Sequence, residues 1–131
     1  MKEWKSFSFR YGRNDGQMAW YRLDDEKGLN IGIDLYDGEE HSLRCEPEQS
    51  WAERLAALLA AHQVEKWDGF YDIDTCMCAG DSWVFHAYAK DGQEIHAMGH
   101  SQYPEGFWET KAALDELFLA LMAEYEKGEQ G

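Results

Sequence analysis

Residues 82–100 read SWVFHAYAKDGQEIHAMGH, two runs of alternating character on either side of Lys90-Asp91-Gly92. Alternation at a period of two marks half-buried strands, and an Asp-Gly pair between two such runs marks a hairpin. Loop length then decides which side chains meet. A two-residue Asp-Gly loop pairs Ala89 with Glu94 and mixes Trp83 and Phe85 with His96, Met98 and His100 on one face. A three-residue loop, with Gly92 in the left-handed conformation, pairs Ala89 with Gln93. Trp83, Phe85 and Ala87 then share an apolar face with Ile95, Ala97 and Gly99, and the other face collects Val84, His86 and Tyr88 opposite Met98, His96 and Glu94. A slip of one residue moves every side chain across the sheet, so the apolar pattern selects the three-residue loop.

Beyond this hairpin, Tyr103-Pro104 ends the sheet, and Phe107 and Trp108 open a helix expected to run to about Glu126. Its apolar positions Leu114, Leu117, Phe118, Leu121, Met122 and Tyr125 follow the spacing of one helical face, and KGEQG reads as a stop. On the N-terminal side, residues 3–11 alternate with Phe7, Phe9 and Tyr11 on one face and Ser6, Ser8 and Arg10 on the other. Residues 18–23 and 29–35 read as two more strands, and Asp37-Gly38 turns the chain into a fourth at 41–45. Pro47 ends that run. Ser50 and Glu53 have the spacing of a capping box, which predicts a helix to about His62 with Trp51, Leu55, Leu58 and Leu59 on its inner stripe. Residues 69–74 form a further short strand. The expected fold is a single α+β domain over 1–131, an antiparallel sheet of six or seven strands in the order ββββ-α-βββ-α, with two helices packed on one face. Both halves place a Pro and, four residues later, a Trp (Pro47/Trp51 and Pro104/Trp108) after an Asp-Gly hairpin. This suggests a hairpin–helix pseudo-repeat over 29–62 and 82–126, each Trp anchoring its helix to the sheet.

Composition limits the functional classes. Hydrophobic residues make up 44% of the 131, and 15% are aromatic, which argues for a folded core rather than disorder. No apolar run approaches the roughly 18 residues of a membrane helix. The first residues, MKEWKSFSFRYGR, lack the apolar core of a signal peptide. Together with an odd number of cysteines, this points to reduced thiols in a cytoplasmic protein. The formal net charge is −14 and falls unevenly: six Lys/Arg and five Asp/Glu lie in residues 1–30, six and 21 in the remainder. Such a charge repels nucleic-acid backbones and favours a partner that is itself basic, such as a nuclease or a nucleic-acid-binding protein.

Two groups of residues are candidates for a site. The hairpin register sets His86 opposite His96, with Cβ atoms about 5 Å apart, and Tyr88 opposite Glu94. His100 lies roughly 13 Å beyond His96 at normal strand rise and is directed to the Cys76-Met77-Cys78 loop. His86, His96, Cys76 and Cys78 make a conceivable zinc or other transition-metal set, although a Cys-x-Cys pair is spaced too closely for ordinary structural zinc. A cysteine nucleophile with a histidine base is opposed by the acidic loop, which holds a thiol protonated. No phosphate-binding, serine-hydrolase or metalloprotease motif occurs. The second group is aromatic: Trp67, Phe70, Tyr71, Tyr103 and Trp108, with Tyr88 and Glu94 nearby, can form a binding rim or plug the end of the core.

Asp81-Ser82-Trp83, the Asp-Gly turn, Gly99, and Tyr103-Pro104 ahead of a helix resemble small uncharacterised bacterial α+β proteins of the pattern D-x-W … G … Y-P … C-terminal helix. The likeness spans roughly residues 64–122. It implies a bacterial, intracellular globular domain and supplies no activity. The reading that follows is a non-enzymatic cytosolic protein-interaction domain, without cofactor, nucleic-acid or membrane binding, of immunity or inhibitor type toward a basic partner. The alternative is a metal- or small-molecule-binding protein using His86, His96 and the Cys76/Cys78 loop; a homodimer through an exposed aromatic sheet edge is a third possibility.

Overall fold

The computed structural model describes residues 2–73 and 80–130, with the side chains of 127–130 outside the description. Seven strands form one sheet: β1 (Trp4–Gly12), β2 (Met18–Asp24), β3 (Asn30–Tyr36), β4 (Glu40–Cys45), β5 (Tyr71–Ile73), β6 (Ser82–Ala89) and β7 (Glu94–His100). Two helices, α1 (Gln49–Ala61) and α2 (Phe107–Gln130), accompany them, and a 3-10 turn spans Val64–Trp67. Strand order is β4-β3-β2-β1-β6-β7-β5. The meander β1–β4 and the β6–β7 hairpin are therefore joined through β1, which pairs antiparallel with β2 on one side and β6 on the other.

The three-residue loop holds. Gly92 has φ +97°, the Ala89 N–H donates to the Gln93 carbonyl at 2.8 Å, and His86 stands opposite His96 and Tyr88 opposite Glu94. Alternation sends Phe7, Phe9, Tyr11, Tyr21, Ile31, Ile33, Trp83, Phe85, Ile95 and their neighbours into one core. Both helices cover that face. Phe118 of α2 stacks on Tyr21 with ring centroids 4.5 Å apart and meets Trp51 of α1 edge-on at 5.0 Å. Among the described residues, no element covers the opposite face.

Several expectations are corrected. The sheet is not wholly antiparallel, because β5 joins β7 in parallel; the chain reaches that edge from the 3-10 turn, already running in the direction of β7. The Ser50–Glu53 capping box does not form. Glu48, extended after Pro47 (φ −67°, ψ 152°), is the N-cap without a side-chain bond, so Ser50 lies inside the first turn, past the position where its hydroxyl can cap. Helix α2 continues through the supposed stop to Gln130; one glycine among good helix formers costs only about 1 kcal/mol. The two tryptophans of the pseudo-repeat are not equivalent. Trp51 is buried, whereas Trp108 is 52% exposed and Phe107 takes the anchoring place. At the sheet end, Phe107 is followed directly by Trp108, and helical geometry turns neighbours about 100° apart, so only one can face the core.

The residues of the D-x-W … G … Y-P pattern form a structural clasp. The Trp83 indole donates to the Gln102 carbonyl at 2.8 Å, and a Cβ on Gly99 would lie 2.6 Å from Trp83 Nε1 and 2.5 Å from the Gln102 oxygen. Asp81 accepts from the Tyr11 hydroxyl and, at 3.1 Å, from the Asn14 backbone N–H. Tyr103 packs on Phe107 and Trp108. These positions tie the start of β6, the end of β7 and the start of α2 into one corner.

Candidate functional site

The uncovered face of the sheet carries the polar side of every alternation. From β4 toward β5 it presents Arg44 and Ser42, Asp34, Trp20 and Arg22, Ser8 and Arg10, His86 and Tyr88, His96 and Glu94, then Tyr71 and Ile73. Most of its charges are satisfied internally. Asp34 pairs with Arg22, accepts from Arg44 at 3.0 Å and from the Ser42 hydroxyl at 2.8 Å. Partial burial pushes the Asp34 carboxyl up, but the Ser42 hydroxyl and the two guanidiniums outweigh it and hold the group below the usual carboxylate range. Arg22 lies over the Trp20 ring at 4.1 Å and Arg10 at 5.7 Å, contacts in which an aromatic face attracts a cation. Sequence reading passed over this ladder because it followed the apolar side of β2–β4; the even-numbered positions 20, 22, 34, 42 and 44 carried the signal.

The histidine pair is real. His86 and His96 are edge to face with ring centroids 5.4 Å apart. Each is already engaged. His86 Nε2 donates to Glu94 Oε1 at 2.9 Å, and His96 Nδ1 lies 2.7 Å from the Tyr71 hydroxyl. One nitrogen per neutral ring remains for a metal, two ligands where zinc takes at least three from the protein. Among the described residues no group of three or more His, Cys, Asp or Glu is arranged to hold a metal, and Cys76 and Cys78 lie outside the described residues. Glu94 serves His86 rather than Tyr88, whose ring instead receives Lys5 Nζ at 5.8 Å. His100 is separate, bonded through Nδ1 to the Ser82 hydroxyl at 2.9 Å.

The aromatic group divides. Trp67 is buried, its indole donating to the Glu105 carbonyl at 3.2 Å, and Phe70 packs against Trp83 at the core edge. Tyr103 and Trp108 stand together at the clasp, while Tyr71 (54% exposed) belongs to the open face beside Ile73 (57%). No single groove gathers them.

The helix layer differs in charge from the open face. Residues 46–62 and 105–126 hold nine carboxylates against Arg54 and Lys111. Among the described residues, the only ion pair of this layer is Lys111–Asp115 at 2.8 Å. Glu53, Glu109, Glu116, Glu124 and Glu126 are exposed. No family model matches the chain, and no curated protein matches it. Among the described residues, no helix is long and apolar enough to cross a membrane.

Proposed function

We propose that this protein is a non-enzymatic, cytosolic interaction domain whose helix layer receives a basic protein partner, in the manner of an immunity or inhibitor protein covering its target. The observation that supports this reading is the separation of charge: on the open sheet Asp34 and Glu94 are engaged by Arg22, Arg44 and His86, whereas of the nine helix-layer carboxylates only Asp115 has an ion-pair partner among the described residues. Unpaired like charges on one face build a potential that steers an oppositely charged partner and sets its orientation. Nucleic acid would meet repulsion there. The test begins by capturing a partner with the full chain at low salt and purifying it. Titration calorimetry then compares the chain with the triple variant Glu109→Gln, Glu116→Gln, Glu124→Gln at roughly 50 and 300 mM salt. Affinity should fall with salt and in the variant, with Glu94→Gln on the open face as the unaffected control. Affinity indifferent to both would sink the proposal.

A second reading, metal binding at His86 and His96 with the Cys76/Cys78 loop, is favoured by the 5.4 Å imidazole pair. Near-stoichiometric zinc, iron or copper in protein purified without chelators, lost in His86→Ala, is its requirement. A homodimer would form at the β5 edge, where Tyr71 and Ile73 are exposed; sedimentation of Ile73→Lys against the parent chain tests that.

A further inference from the structure

Three arginines from three strands gather on the open face of the sheet: Arg10 of β1, Arg22 of β2 and Arg44 of β4, in register with Trp20, Gly32 and Asp34. The Arg22 guanidinium lies over the Trp20 ring at 4.1 Å and that of Arg10 at 5.7 Å. Arg22 and Arg44 share Asp34 Oδ2. Trp20 therefore links the first two cations, and Asp34 links the second to the third. Gly32 gives them room, since a Cβ there would lie 3.2 Å from Arg22 Nε and 3.5 Å from Arg44 Nε. The indole is itself held in place, its N–H donating to the Ser8 hydroxyl at 2.9 Å.

Positive charge is left over at this place. Asp34 is the carboxylate that the cluster shares, and among the described residues the Arg10 side chain makes no ion pair and no hydrogen bond. The other carboxylates of this face lie toward its margins. Glu94 is taken by His86 at 2.9 Å, and Asp24, at the end of β2, accepts from the Glu26 backbone N–H at 2.9 Å. Glu40 begins β4, roughly 13 Å along the strand from Arg44. Three guanidiniums against one carboxylate leave a local excess of two positive charges in a chain of net charge −14. Like charges held together oppose the folded state unless a counter-charge reaches them. Guanidinium forks match the oxygens of a phosphate group bidentately. A phosphomonoester carries about −1.5 to −2 charge at pH 7, which meets the excess; one carboxylate meets half of it.

We infer that this cluster is a binding site for a phosphomonoester group, with Arg10, Arg22 and Arg44 as its donors and Trp20 as the platform that orients two of them. The group can belong to a free small molecule or to a phosphorylated side chain of another protein. A nucleic-acid backbone fits less well, because its diesters carry one charge each and the net charge of the chain repels a long polyanion. The reading is independent of the basic partner proposed for the helix layer, which lies on the other side of the sheet.

The probe is phenyl phosphate, titrated into the ¹⁵N-labelled full chain at roughly 20 mM salt. The Trp20 indole, the Gly32 amide and the arginine Nε–H resonances should shift saturably, with Kd of about a millimolar. Benzoate, with the same ring and one charge, should bind at least about fivefold more weakly. Arg10→Gln breaks no ion pair, so the fold should be kept while phosphate binding falls several-fold; Arg44→Gln should do the same. Arg54→Gln, on α1, removes an equal charge elsewhere and should leave binding unchanged. A phosphoserine peptide in a glycine context assigns the source: tighter binding than phenyl phosphate supports a site for a phosphorylated chain, and equal binding supports one for a free phosphomonoester. An absence of saturable shifts, equal binding of benzoate, or a loss in Arg54→Gln as large as in Arg10→Gln would each overturn the assignment. So would tighter binding of a short oligothymidylate, which would make the face a nucleic-acid surface.

Discussion

Gly99 shows how much one position decides. It faces the core between Trp83 and the Gln102 carbonyl, where an added Cβ finds atoms at 2.5–2.6 Å. Gly99→Ala is expected to cost about 1–3 kcal/mol by overpacking, seen as a lower urea midpoint with unchanged slope. Tyr11 and Tyr21 carry the alkaline limit. Burial, then the Asp81 and Tyr103 contacts, pushes the Tyr11 phenol up, and burial followed by Asp115 does the same for Tyr21. An unfolded tyrosine ionises near pH ~10. A group whose folded value is raised contributes stability that is whole below that pH and lost as pH climbs beyond it. Phenolate absorbance and circular dichroism followed together should show these two tyrosines ionising only as the fold is lost. Ionisation of all seven tyrosines with the fold intact would contradict this. The faces of Gly99 and Tyr11 were legible from alternation; that of Tyr21 was not assigned, because residues 18–23 read as a strand from their aromatic content alone. The partners of the two tyrosines were not legible, because Tyr11–Asp81 and Tyr21–Asp115 lie 70 and 94 residues apart.

Among the elements, the strands follow directly from their sequence. Phe7, Phe9 and Tyr11 alternate with Ser6, Ser8 and Arg10, and burial of one set determines register. Helix ends are less legible. Ser50 and Glu53 match a capping pattern, yet the chain enters the helix at Gln49, with the extended Glu48 as its N-cap. Ser50→Ala therefore should change stability by less than about 0.5 kcal/mol, whereas loss of a working cap would cost about 1 kcal/mol; thermal or urea denaturation separates the two. The edge strands differ in protection. β4 carries Glu40, His41 and Arg44, charges that discourage edge pairing, while β5 exposes Tyr71 and Ile73.

For the whole molecule, a net charge of −14 means self-repulsion in the folded state. Raising salt from roughly 10 to 150 mM shortens the screening length from about 30 to about 8 Å. The melting temperature should therefore rise, by about 2–8 °C if the relief amounts to about 1 kcal/mol. A falling melting temperature would mean that ion pairs such as Arg22–Asp34–Arg44 outweigh the repulsion. Sequence by itself determined the α+β class, the two helices, six antiparallel strands and the facing of His86 with His96, because periodicity and turn chemistry act over a few residues. Tertiary structure alone decided that β1 is the central seam, that β5 runs parallel, and that Trp67 is core and Trp108 surface. Those outcomes depend on which distant segments share one core, and on how two helices divide its area, neither of which is encoded in local spacing.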